Sequence, residues 1–167
     1  MVYVTHDQTE AMTMSDRAAV FSGGKLEQVA PPLEVYHRPR TRFVGEFIGD
    51  SNFFTGRVHS GAPRVELDRL GPIHADAEAC RRLAGAAADV LLRPERVQFV
   101  PEGATLPNRL AVKIGVIVNY GDSVLIIGDA GGQIVRIRMA GAPPDEVREG
   151  ATVTFGWRPG DEHLIAR

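Results

Sequence analysis

The C-terminal two thirds of the chain contain three clear runs in which every second residue is apolar. These runs extend from Leu110 to Val118, from Val135 to Met139 and from Val153 to Trp157. A period of two is typical of strands with one buried face. Phe54 and Val58 fit the same pattern earlier in the chain, and the segment from Asp76 to Gly85 is expected to be either a helix or an alanine-rich loop. Short strands separated by glycine-rich turns indicate a small all-β barrel or sandwich.

The first fifty residues have a different pattern, which mixes one strand, a hairpin and short helices. Asp7 and Glu10 have the spacing of a capping box and predict a helix start. Gly23-Gly24 supplies a hairpin turn, and Pro32 suits a first helical turn. The predicted elements are a buried strand at 2–4, a helix from 8, a hairpin at 19–29, and helices at 32–36 and 41–48.

The change of pattern at Gly49-Asp50-Ser51-Asn52 predicts a domain boundary. We therefore expect two domains, a short α/β piece at 1–48 and a β domain at 49–167, which makes the chain mainly β. No internal repeat stands out in the sequence.

Composition and charge exclude several classes of protein. The 167 residues have a formal net charge of −2, which gives no basic excess for nucleic acid. The single cysteine excludes an internal disulfide. No apolar run approaches the roughly 18 residues of a membrane span, and no signal peptide is visible.

Because Val2 to Val4 reads as a buried strand without a partner, the N-terminus is expected to be a cut through a larger domain.

An ordered series of short motifs carries a specific resemblance. The first fifty residues resemble the switch-histidine region of ABC importer ATPases, and the rest resembles the TOBE domain, an OB-like β-barrel in one branch of that family. The motifs of the first part are Tyr3 to Gln8, Glu10-Ala11, Ser15 to Arg17, Gly24-Lys25, Glu27-Gln28, Glu34 to Tyr36 and Phe47 to Gly49. Those of the second part are Arg93-Pro94-Glu95, Tyr120-Gly121, and Trp157 with Pro159.

The resemblance implies a role for His6 and a set of partners. In that family the corresponding histidine contacts the terminal phosphate of ATP and helps to position the attacking water. The full-length subunit would use ATP and Mg²⁺ as cofactors, pair with a second copy of itself, and lie on the cytoplasmic face of the membrane beneath permease subunits. The junction from Phe47 to Asn52 is most similar to the polyamine-type branch.

The chain lacks the motif that cradles phosphate, so we do not expect it to hydrolyse ATP alone. A phosphate loop has the pattern G-x-x-x-x-G-K-[ST]. Here Gly24-Lys25 is followed by Leu26, and Ser22-Gly23-Gly24 comes after the switch histidine, where the family's signature loop does not occur. A strand that ends in an Asp-Glu pair for magnesium is also missing.

Other chemistry gives weaker signals. Lys113, Arg136, Arg138 and Arg158 would form a basic stripe, which is either a solvated face or a small-anion site. The stripe makes a free-standing oxyanion-binding TOBE module the alternative function, while an oligonucleotide-binding barrel is disfavoured by the acidic net charge. The five histidines lack the spacing of a metal site. The adjacent pairs Asp145-Glu146 and Asp161-Glu162 are expected to be solvated.

Overall fold

The computed structural model describes residues 2–167, and the chain divides into two compact units at 1–50 and 51–167. The first unit is a small α/β arrangement and the second consists mainly of strands. The predicted mainly β class, with a short α/β part before a curled β domain, is confirmed.

The first unit packs three short helices with one hairpin. Helix α2 begins with Pro32 in its first turn, and Thr41 caps α3 by accepting a hydrogen bond from the Val44 amide. The small core of this unit contains Val20, Val35 and Val44. The elements are α1 Gln8–Thr13, β1 Ala18–Ser22, β2 Lys25–Ala30, α2 Pro32–His37 and α3 Arg42–Phe47.

The second unit contains two antiparallel sheets of five strands each. Their strand orders are β12-β6-β3-β4-β5 and β10-β9-β8-β11-β7. Both sheets contribute to one core, whose largest side chain is Trp157. The elements are β3 Asn52–Val58, β4 Arg64–Leu67, β5 Gly71–His74, α4 Ala77–Arg82, β6 Ala87–Leu92, a 3₁₀ turn at Pro94–Arg96, β7 Gln98–Phe99, β8 Asn108–Asn119, β9 Ser123–Ala130, β10 Gln133–Ala140, β11 Thr152–Trp157 and β12 Glu162–Ala166.

Two predictions of local structure are wrong. Residues 2–4 do not form a strand, and Val2 is 91% exposed, because no described strand lies beside them for pairing. In β8, only the first part of the predicted apolar face is buried. The register shifts between Ile114 and Val116, so Val116 and Val118 point away from the core. An extra residue in one strand moves every later side chain to the opposite face.

The second unit contains a repeat that the sequence analysis missed. Strands β3 to β6 form the first repeat and β8 to β11 the second, with matching registers: Asn52 pairs with Leu92, and Asn108 pairs with Trp157. The strand that follows each repeat joins the sheet of the other one, so β7 lies beside β11 and β12 lies beside β6. The two repeats are therefore held together by exchanged strands.

A buried asparagine at the start of each repeat bridges the two sheets. Asn52 accepts a hydrogen bond from the Arg136 amide and donates one to the Arg136 carbonyl, both at 2.7 Å. Asn108 makes the same pair of bonds to the backbone of His74, both at 2.8 Å. Each side chain satisfies the amide and carbonyl of one residue in β10 or β5, the outer strand of the opposite sheet, and so ties the two sheets together at that point.

Candidate functional site

His6 lies at a bend immediately before helix α1, with its side chain exposed. Asp7 is the N-cap of this helix, and its Oδ1 accepts hydrogen bonds from the amides of Thr9 at 2.7 Å and Glu10 at 3.2 Å. The cap fixes where the helix begins, and it thereby fixes the position of the residue before it.

The residues before His6 are attached to the same helix. The predicted capping box is only half formed, because Glu10 does not bond back to the Asp7 amide. Its Oε2 accepts hydrogen bonds from Thr5 Oγ1 at 2.7 Å and from the Tyr3 hydroxyl at 3.2 Å. Thr5 Oγ1 in turn accepts from the Asp7 amide at 2.9 Å. His6 is therefore anchored through both of its neighbours while its imidazole stays open to solvent.

Gln8 connects the His6 segment to the end of helix α3. Its Nε2 donates to the Phe47 carbonyl, and its Oε1 accepts from the Gly49 amide at 3.0 Å. An amide that donates and accepts at once fixes the orientation of both segments. The sequence analysis included Gln8 only as part of a motif. It did not predict the contacts with Phe47 and Gly49, because these residues lie about forty positions away in the sequence.

The segment around His6 offers one side chain for contact with a ligand, which is less than a nucleotide-binding site requires. His6 offers a single imidazole, whereas phosphate binding also needs a cradle of backbone amides and a cation. In residues 2–167 no group of three or more acidic, histidine or cysteine side chains is placed to hold a metal ion. A contact of His6 with the terminal phosphate of ATP stays a prediction. None of the described helices is both long and apolar enough to cross a membrane.

The predicted basic stripe is divided across the sheet. Arg136 and Arg138 project from the same face of β10, and the Arg138 guanidinium lies 5.3 Å from the centre of the Tyr120 ring. Lys113 lies two strands away on β8, and Asp129 of β9 is directly opposite it. The acidic neighbour separates Lys113 from the arginine pair. A small-anion site at Lys113, Arg136 and Arg138 stays a prediction.

Glu162, expected to be solvated, is 6% exposed. Its Oε1 accepts hydrogen bonds from the amides of Asp76 at 3.1 Å and Gly160 at 3.0 Å. Burial raises the pKa of the Glu162 carboxyl, while these amides and the nearby Trp157 indole oppose the rise. The indole N–H of Trp157 is buried and makes no hydrogen bond of normal geometry within the described residues.

Burial also raises the pKa of the Cys80 thiol, with further contributions from Glu162 and Asp76.

Comparison with known proteins finds relatives that match both units of the chain. Residues 90–165 match the TOBE domain family. The chain is 35% identical over 162 residues to the spermidine/putrescine import ATP-binding protein PotA of Rubrobacter xylanophilus, which covers 93% of this chain and 42% of that protein. The PotA protein of Ruegeria pomeroyi is also 35% identical, over 99% of this chain and 45% of its own length. The chain thus spans less than half the length of these relatives.

Two further matches widen the comparison. The sn-glycerol-3-phosphate import ATP-binding protein UgpC 2 of Agrobacterium fabrum is 41% identical over 108 residues, which is 64% of this chain and 29% of that protein. The cytoplasmic molybdate-binding protein ModG, solved with molybdate bound, has a TM-score of 0.57 at 17% identity, over 70% of this chain and 96% of its own. The ModG likeness shows the fold alone. The resemblance drawn from the sequence motifs, to ABC importer ATP-binding subunits with a TOBE domain, is confirmed.

Proposed function

We propose that this chain, homologous to a TOBE-containing part of ABC importer ATP-binding subunits, is the C-terminal accessory and regulatory segment of a polyamine-importing subunit. The observation that supports this most is the extent of the similarity. Matches to spermidine/putrescine import ATP-binding proteins cover 93% to 99% of the chain and so include both units. The alternative function, a free-standing binding module, would not require the His6 segment.

The surface of the first unit supports the same proposal. Several large apolar side chains are exposed there, and exposed apolar surface is typical of a site of protein–protein contact. They come from every part of the unit and include Val2, Val4, Met14, Phe21, Leu26, Leu33 and Phe47. In the proposed subunit these side chains pack against the rest of the ATPase domain.

His6 is the residue of this chain that would act on ATP. Its exposed imidazole contacts the terminal phosphate and helps to position the attacking water, while ATP and Mg²⁺ are held mainly by the rest of the subunit. We expect this chain alone not to hydrolyse ATP. The proposed partners are a second copy of the subunit and the membrane permease, at the cytoplasmic face of the cell membrane, with no nucleic acid.

The test is a chimera in which this chain replaces the matching part of the Rubrobacter xylanophilus PotA protein. We expect the chimera to hydrolyse ATP and the His6→Ala variant to lose about 100-fold or more in kcat, as when a group that stabilises the transition state is removed. His37→Ala is the matched control, since this histidine is also exposed and lies in the same unit at the end of α2. An inactive chimera beside an active parent, or ATP hydrolysis by this chain alone, would contradict the proposal.

The cargo is tested separately by uptake. Cells that produce the chimera with its permease should accumulate labelled spermidine in preference to sn-glycerol-3-phosphate. Preference for the second solute would leave the ATPase assignment standing and reject the polyamine branch.

A further inference from the structure

The two exchanged strands of the β domain differ in how much of their partner they cover. Strand β12 pairs with β6 at five successive positions, from Glu162 opposite Leu92 to Ala166 opposite Ala88. The Arg167 amide then donates to the Ala87 carbonyl at 3.3 Å. Strand β7 pairs with β11 only through Gln98 and Phe99, followed by one hydrogen bond from the Val100 amide to the Thr154 carbonyl at 3.0 Å.

The matching registers identify the stretch of β11 that β7 leaves uncovered. Leu92 of β6 corresponds to Trp157 of β11, so residues 89, 88 and 87 of β6 correspond to Thr154, Val153 and Thr152 of β11. In the first repeat, Ile165 to Arg167 lie beside those three residues of β6. The chain after β7 leaves the sheet at Pro101, since proline has no amide hydrogen to continue the ladder. Val100 still bonds to Thr154, so the second repeat lacks the last two residues of a strand that the first repeat has, those opposite Val153 and Thr152.

A groove occupies this place. It has a volume of about 630 Å³ and is lined by residues 99–104, by Ala151 and the first three residues of β11, and by the charged residues Arg109, Asp145, Glu146 and Arg148. The Ala151 carbonyl accepts from the Ile114 amide at 2.8 Å and so faces β8. Since successive residues of a strand point their backbone groups to opposite sides, the amide and carbonyl of Thr152 face the groove.

The groove walls carry charges that are not paired with one another. Its carboxylates belong to Glu102, Asp145 and Glu146, and its guanidinium groups belong to Arg109 and Arg148. Within the part of the chain that the structure describes, the side chains of these five residues form no ion pair or hydrogen bond. Carboxylates are in excess, so the groove favours a positively charged occupant.

We propose that this groove binds an extended peptide segment of a partner protein, which adds as a strand antiparallel to β11 and contains a lysine or arginine. The backbone of Thr152 supplies the pairing groups, as in other cases of strand addition to a sheet edge. The occupant of the corresponding place in the first repeat is itself an extended segment that ends in Arg167, whose Nε lies 3.7 Å from Asp89 Oδ1. This inference does not depend on the cargo or on ATP hydrolysis.

The probe for the test is the acetylated, amidated hexapeptide Ile-Ala-Arg-Ile-Ala-Arg, which repeats the sequence of residues 165–167. It is titrated into the full chain labelled with ¹⁵N, and amide shifts and hydrogen exchange are recorded. We expect shifts at Val100 and at residues 151–154, and slower exchange of the Thr152 amide. Thr152→Pro, which removes that donor at an edge position, should weaken binding about tenfold relative to the matched control Thr152→Val. The peptide with glutamate in place of arginine should also bind more weakly.

Each other result overturns the proposal. Equal affinity of Thr152→Pro and Thr152→Val, shifts confined to another surface, or no binding at millimolar peptide would each exclude strand addition. If spermidine produced the same shifts without slower exchange at Thr152, the groove would be a simple cation site. The hydrogen-exchange measurement uses the unmodified chain, so it tests strand addition at Thr152 even if the Thr152→Pro variant fails to fold.

Discussion

The two repeats of the β domain share a register but have little sequence in common. Asn52 pairs with Leu92 in the first repeat and Asn108 with Trp157 in the second, and each asparagine bonds to the backbone of the opposite sheet. The register of a strand pair depends on which face is buried and on a few special contacts. The buried asparagine and the buried residue opposite it therefore mark equivalent positions in the two repeats.

The turns that lead to the two exchanged strands begin alike but bury different side chains. Arg93-Pro94 begins the turn in the first repeat and Arg158-Pro159 begins it in the second. Four residues after each arginine the side chain is buried in both cases, but it is Val97 in the first and Glu162 in the second. The second turn therefore buries a carboxyl group where the first buries an aliphatic one.

The largest effect is expected from the paired core positions. Trp157 and Leu92 are both 0% exposed. Truncation of a buried side chain removes its transfer free energy and leaves a cavity, so Trp157→Ala should lower the free energy of unfolding by about 4 kcal/mol and Leu92→Ala by about 3 kcal/mol. Urea unfolding followed by circular dichroism measures both. A loss below about 1 kcal/mol at either position would contradict the view that the two residues fill equivalent places in one core.

Alternation predicted strands β3, β8, β10 and β11 of the β domain because it has a direct physical cause, whereas β4, β5, β7 and β12 were not predicted. Phe155 and Trp157 are buried and Thr152 is exposed, as a period of two requires. The exception is Val116, where Gly115 lies in a register shift that alternation alone does not reveal. The repeat was also missed, because equivalent residues such as Val97 and Glu162 differ in character and only the pairing of strands shows that they correspond.

The site residues were predictable to a smaller extent. The bend at His6 and the cap at Asp7 follow from local sequence, since a cap acts within three residues. The contacts of Gln8 with Phe47 and Gly49 join residues about forty positions apart, and no local rule indicates them. Glu162 was wrongly expected to be solvated because adjacent acidic residues usually are, whereas here the amides of Asp76 and Gly160 make burial of the carboxyl group tolerable.

An intermediate effect is expected from the two asparagine bridges. Asn52→Ala and Asn108→Ala each remove two hydrogen bonds and leave a backbone amide and carbonyl without partners, so each should lower the free energy of unfolding by about 2–3 kcal/mol. Trp157 is the only tryptophan of the chain and lies in the β domain, so its fluorescence in urea reports on this domain. If the bridges are equivalent, the two losses should agree within about 0.5 kcal/mol. A large loss at one asparagine and none at the other would break the comparison between the repeats.

The smallest effect, and the one that separates the repeats, concerns the pH dependence of stability. Because burial raises the pKa of Glu162 in the folded state, the folded chain holds this proton more tightly than the unfolded chain does. Stability should therefore fall as pH rises from the ordinary glutamate pKa of about 4.3 through the raised folded pKa, and stay level above it. The Glu162 and Asp76 carboxyl groups both lie near the Cys80 thiol, whose pKa is raised by burial and by these two groups.

Glu162→Gln should remove this dependence, since its amide oxygen still accepts from Asp76 and Gly160 but the side chain does not ionise. The difference in free energy of unfolding between Glu162→Gln and the unchanged chain should therefore move in favour of the variant as pH rises from 4 to 8. Glu66→Gln is the matched control, because it makes the same substitution at a carboxyl that is exposed on β4. If the Glu162→Gln curve stayed parallel to that of the unchanged chain, the buried carboxyl would not be what distinguishes the second turn from the first.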